Sequence, residues 1–147
     1  RSSLSIFGPG EDAYAHKLAE MAGEADVRFM GSFRSEELSK VFNPIDVLVA
    51  PSICYETYSF VVHEALASEI PVIVSSLGGM AETIRDDING FTFTAGDVQQ
   101  LREVMQKILD DPTVLNDLKK YIRLETFVPN IEQEAYCYNQ IYRSIVR

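Results

Sequence analysis

Residues 47–74 read VLVAPSICYETYSFVVHEALASEIPVIV. The run opens on the apolar residues Val47 to Ala50 and closes on Pro71-Val72-Ile73-Val74. Both stretches are short, rich in β-branched side chains and bounded by turn formers, which predicts buried strands. Between them Ser59 is a plausible helix start for a largely apolar helix that runs through Glu64 to Ala67. Strands apolar at every position fit a parallel sheet with helices on both faces. The alternation continues outward: Leu4 to Phe7 and Val27 to Met30 lie upstream, and Phe91 to Phe93 lies downstream. Helical spacing joins Ala15, Leu18, Ala19 and Ala22, and again Leu101, Val104, Met105, Ile108 and Leu109. The pattern predicts an α/β fold, a Rossmann-like doubly wound parallel sheet with C-terminal helices. Asp97 is a candidate cap, and helices break at Asp111-Pro112 and at Val128-Pro129-Asn130. The last helix carries Ile131, Ala135, Tyr138, Tyr142 and Ile145 on one stripe, which either covers the home sheet or docks elsewhere.

Composition narrows the function. The 147 residues suit one domain, and a chain of about 150 residues buries enough surface to need neither disulfides nor a structural metal. With 13 Lys+Arg against 22 Asp+Glu the net charge is −9, which argues against nucleic acid or an anionic membrane as the main partner. Cys54 and Cys137 have no metal-ligand spacing and read as reduced thiols of a cytoplasmic protein. The apolar runs are far too short to span a bilayer, and no signal peptide opens the chain. There is no initiator Met and a strand begins almost at once, so a fragment of something longer is expected, truncated at its N-terminal end.

In an open parallel sheet ligands gather at the carboxyl ends of the strands, so the loops after each strand are the candidates. The first, Gly8-Pro9-Gly10-Glu11-Asp12-Ala13, formally fits a dinucleotide fingerprint. Against it, Glu11 and Asp12 put negative charge where a pyrophosphate would sit, and Met30-Gly31 stands where an acidic ribose ligand belongs. A glycine turn before an acidic helix start is the plainer reading. After the third strand, Glu56 lies in the loop and Glu64 on the helix, about 7 Å beyond its start at Ser59. A diphosphate resting on the free amides of that helix start would have one carboxylate on either side, the shape of a nucleotide sugar. Farther on, Gly78-Gly79 precedes a helix and lets a ligand or another backbone approach closely, and Asp86-Asp87-Ile88-Asn89-Gly90 makes a turn. His63 points to a different face from Glu64 and reads as packing or solvent. Arg34 and Arg85 read as solvated loop residues, Cys54 as packing, and Tyr136, Tyr138 and Tyr142 as core or a partner surface.

The order of these blocks carries a resemblance. Ile6-Phe7-Gly8-Pro9-Gly10, Val27-Arg28-Phe29-Met30-Gly31, Pro51-Ser52, Glu56 with seven residues before Glu64, Glu64-Ala65-Leu66-Ala67, Pro71-Val72-Ile73-Val74, and Gly78-Gly79 with Glu82 follow one another. From Ile6 to about Asp110 the chain resembles the C-terminal, donor-binding domain of retaining glycosyltransferases of the GT-B fold, family 4. The resemblance implies one nucleotide-sugar-binding domain over residues 1–147, with the acceptor-binding N-terminal domain outside this chain. It implies transfer of a hexosyl group from a UDP- or GDP-linked donor, with retention, to a saccharide or lipid-linked acceptor, as in cell-surface polysaccharide biosynthesis. Glu56 would stand at the donor sugar and support an oxocarbenium-like transition state, and Glu64 would bind the ribose hydroxyls. Tyr58 and the backbone of Ser59 and Phe60 would hold the diphosphate, and Ser32, Phe33 and Leu38 would frame the base. Gly8, Gly10, Gly31, Gly78 and Gly79 would line the donor path. No metal or cofactor is expected, and the leaving phosphate would take the acceptor's proton. The partners implied are the nucleotide sugar and the protein's own N-terminal domain, in the cytoplasm or at the inner membrane surface through that domain. Two departures stand out: Thr57-Tyr58-Ser59 replaces the family's Gly-Phe-Gly, and the family's basic diphosphate clamp would lie upstream of residue 1. An NAD-binding domain of an oxidoreductase and a non-catalytic interaction module are the alternatives.

Overall fold

The computed structural model describes residues 2–10, 12–126 and 128–146. Glu11 of the first glycine loop lies outside them. The chain divides into two compact units, Arg1–Ile45 and Asp46–Arg147.

The first unit is a βαβ element. Strand β1 (Leu4–Phe7) leads through α1 (Asp12–Ala22) to β2 (Val27–Gly31), and a 3-10 turn (Ser35–Glu37) enters α2 (Leu38–Phe42). The strands pair in parallel with Leu4 opposite Val27 and Ile6 opposite Phe29, and the register shifts between Ile6 and Phe7. At their carboxyl ends the Gly8 N–H donates to the Gly31 carbonyl at 2.9 Å. Both glycines have positive φ, 137° and 71°, which side-chain-bearing residues rarely adopt.

The second unit holds β3 (Leu48–Ala50), α3 (Phe60–Ala67), β4 (Val72–Ser75), α4 (Gly78–Thr83), β5 (Gly90–Phe93), α5 (Val98–Asp110), α6 (Val114–Glu125) and α7 (Ile131–Ile145). Its strands are parallel in the order β3-β4-β5. The central strand β4 is buried throughout, as the apolar run Val72-Ile73-Val74 predicts, with Ser75 buried at its end. Ile73 joins Phe91, Phe93, Ile108 and Leu118 in one core cluster, against which Leu101, Val104 and Met105 of α5 pack. Strand alternation turns Val72 and Val74 the other way, and the buried Val62, Ala65 and Leu66 belong to α3, which packs on β3 and β4. Asp97 caps α5 by accepting from the Gln100 N–H, and Asn130 caps α7 in a reciprocal box with Gln133.

The α/β class, the parallel strands and the helices that flank them agree with the sequence pattern. Strands β1-β2 and β3-β4-β5 are separate ladders. Leu4, Phe29 and Met30 of the first unit are exposed. The apolar stripe of α7 does not cover the sheet. No residue of that helix is buried, and Ile131, Tyr142 and Ile145 are 83%, 64% and 71% exposed.

Candidate functional site

The Glu56 loop connects β3 to α3. Ser59 is the N-cap of α3 in extended backbone, but its hydroxyl makes no capping bond, so the first-turn amides have no side-chain acceptor there. A helix start of this kind presents N–H groups and partial positive charge to an anion. Ser59 is buried, Glu56 and Glu64 are half-buried, and Tyr58 and Phe60 are exposed. Tyr58 and Phe60 meet edge to face, with ring centroids 5.2 Å apart. Partial burial of the phenol, and after it the Glu134 carboxylate, pushes Tyr58 above its ordinary value.

The two glycines that open α4 lie against this loop. The Gly79 N–H donates to the Glu56 carbonyl at 2.8 Å. A Cβ at Gly78 would stand 2.6 Å from the Glu56 oxygen, and one at Gly79 would stand 2.2 Å from the Thr57 oxygen. Of the two partners the sequence allowed for this pair, the structure shows backbone: the space of the missing side chains is filled by Glu56 and Thr57. Gly78 adds a positive φ of 59°. Thus Glu56, Tyr58, Ser59, Phe60, Gly78 and Gly79 come together around one loop, with Glu64 farther along α3.

The remaining candidates belong to the first unit. Gly8 and Gly31 are joined by the hydrogen bond given above, whereas added Cβ atoms at Gly8, Gly10 and Gly31 would meet nothing within 4 Å. Phe33 packs edge-on against Phe7 at 5.6 Å, and it lines an open groove with Arg34 and the 3-10 turn. Ser32 is exposed and Leu38 half-buried. Among the described residues no group of three or more His, Cys, Asp or Glu side chains is placed to hold a metal ion. Likewise, no helix among them is long and apolar enough to cross a membrane.

The sequence profile described as Glycosyl transferases group 1 matches residues 1–111. The chain belongs to this glycosyltransferase family. An uncharacterized glycosyltransferase of Methanocaldococcus jannaschii is 31% identical over 140 residues, covering 91% of this chain and 36% of that protein. Among solved structures, sucrose-phosphate synthase from Thermosynechococcus elongatus superposes with a TM-score of 0.78 at 26% identity, over 97% of this chain and 38% of that one. The Anabaena protein HepE, solved in complex with UDP-glucose, superposes with a TM-score of 0.71 at 22% identity, over 97% of this chain and 40% of that one. The structural neighbours are GT-B glycosyltransferases, and this chain spans well under half the length of each of these relatives.

Within this glycosyltransferase chain several contacts were not legible in the sequence. His63 neither faces solvent freely nor stands apart: its ring stacks on Tyr58 at 3.8 Å and 13°, and Nδ1 lies 2.9 Å from the Ser59 carbonyl. Thr83 bonds the Gly79 carbonyl one turn back on α4. The loop residue Arg85 pairs with Glu125 of α6 at 3.4 Å. The four-residue spacing of Ser59 to His63 and of Gly79 to Thr83 was the available signal, since it stacks side chains over the preceding helical turn.

Proposed function

We propose that this chain is the donor-binding half of a retaining family 4 hexosyltransferase, which binds a UDP- or GDP-linked sugar and works with an N-terminal acceptor domain. The observation that carries the reading is the Glu56 loop, held by the glycines of α4 and leading directly into the start of α3, in a chain of the glycosyltransferase family. The complex of HepE with UDP-glucose supports it, because that neighbour shares the fold and holds a nucleotide sugar. Glu56 stands at the sugar and stabilises positive charge as the glycosidic bond breaks, while the α3 amides take the negative charge of the departing diphosphate. Glu64 accepts hydrogen bonds from the ribose hydroxyls. Phe33, Ser32 and Leu38 frame the base, and the leaving phosphate takes the acceptor's proton. The exposed stripe of α7 packs against the protein's other domain, and the acceptor is a saccharide or a lipid-linked sugar.

Two variants divide the roles. Glu64→Ala weakens UDP or GDP binding about ten- to a hundredfold, as loss of hydrogen bonds to a charged acceptor predicts. Glu56→Gln leaves nucleotide affinity within about threefold but abolishes transfer by the full-length protein, because its loss falls on the transition state. Titration by ligand-observed NMR and turnover of the full-length protein read these out. A Glu64→Ala chain that binds both nucleotides as the parent does would contradict the assignment. The isolated chain itself is expected to show no turnover.

A further inference from the structure

We propose that His63 is a positioning residue that fixes the Tyr58–Phe60 end of the Glu56 loop at the start of α3. This rests on the reading of that loop as the donor site. A carbonyl oxygen only accepts, so the 2.9 Å contact between His63 Nδ1 and the Ser59 carbonyl requires the hydrogen on Nδ1. The same carbonyl also accepts from the His63 backbone N–H at 3.2 Å, so one residue holds it twice. The imidazole lies flat on the Tyr58 ring, and Tyr58 in turn meets Phe60 edge to face. One side chain therefore fixes three consecutive residues: Ser59 through its carbonyl, Tyr58 through its ring, and Phe60 through Tyr58.

The opposite edge of the imidazole reaches α4. Nε2 lies 3.5 Å from Thr83 Oγ1, a packing contact, because the Thr83 hydroxyl gives its hydrogen to the Gly79 carbonyl at 3.1 Å. Gly79 in turn holds the Glu56 carbonyl. The Glu56 end of the loop is thus tied to α4 by Gly79, and the Ser59 end is held within α3 by the His63 Nδ1 bond. Phosphate-binding amides need fixed directions, because a misaligned N–H···O bond weakens steeply with angle. His63 supplies that fixity to the first turn of α3 and touches no substrate.

The test uses the 147-residue chain, with UDP and GDP as probes. His63→Ala should fold, by circular dichroism, and bind the nucleotide about tenfold more weakly, the equivalent of one lost hydrogen bond. His63→Asn carries an amide N–H where Nδ1–H stands and should bring affinity back to within about threefold. A residue that served stability alone would show unchanged affinity in folded His63→Ala, and that result overturns the proposal, as does an Asn variant as weak as Ala. If His63→Ala does not fold, imidazole 15N shifts of the parent chain in alkaline buffer decide instead. The Nδ1–H tautomer is expected, and the Nε2–H tautomer overturns the inference. Failure of the parent chain to bind either nucleotide overturns the donor-site reading itself and is distinct from all of these outcomes.

Discussion

Glu69 occupies a backbone conformation with φ 60°, where the chain turns out of α3 toward β4. Non-glycine residues enter this left-handed region at a cost of about 1 kcal/mol. The Glu69 carboxylate accepts from Arg123 Nε at 2.9 Å and also meets the second guanidinium nitrogen, and this pairing holds its carboxyl below the usual range. The pair lies on the surface and recovers little of the backbone cost. Substitution should therefore invert the ordinary preference: Glu69→Gly is more stable than Glu69→Ala by about 1 kcal/mol in urea unfolding, because both lose the pair and only glycine relieves the turn. Equal stabilities, or a more stable Ala variant, would show that the turn is not strained. The cap Asp97 was readable in the sequence because its partner lies three positions away. The Glu69–Arg123 pair was not, since its residues lie 54 positions apart. The ring stack of His63 on Tyr58 was likewise hidden, because helical spacing gives a face and not what covers it.

At the scale of elements, α4 governs the placement of Glu56. Its two glycines accept the Glu56–Thr57 backbone at distances no side chain allows. Gly79→Ala should destabilise the chain by more than about 2 kcal/mol, since the clashing atoms belong to backbone that cannot rotate away. Gly10→Ala, at a position with open space and no positive φ, should stay within about 0.5 kcal/mol of the parent. Chemical denaturation of the two variants checks this contrast, and a Gly79→Ala chain as stable as the parent would rule out the close approach. The glycine pair announced that something comes near, yet sequence alone does not say whether ligand or backbone does. Helix α7 teaches the same point from the other side. Its apolar stripe was visible as a period, but where the stripe docks depends on a surface beyond the helix.

For the whole molecule, the sequence pattern carried the class, the strands and most helices, because buried parallel strands leave an unmistakable hydrophobic trace. The net charge of −9 describes long-range steering and does not forbid a diphosphate ligand, which depends on a few local amides and on any cations supplied from beyond this chain. Without such cations the affinity of this chain for a nucleotide should fall below that of the full-length protein. The most direct measurement is a titration of the 147-residue chain with UDP, GDP, ADP and NAD by ligand-observed NMR. The donor-site account predicts saturable binding of UDP or GDP and none of NAD; binding of NAD without any nucleoside diphosphate, or of no nucleotide at all, would contradict it.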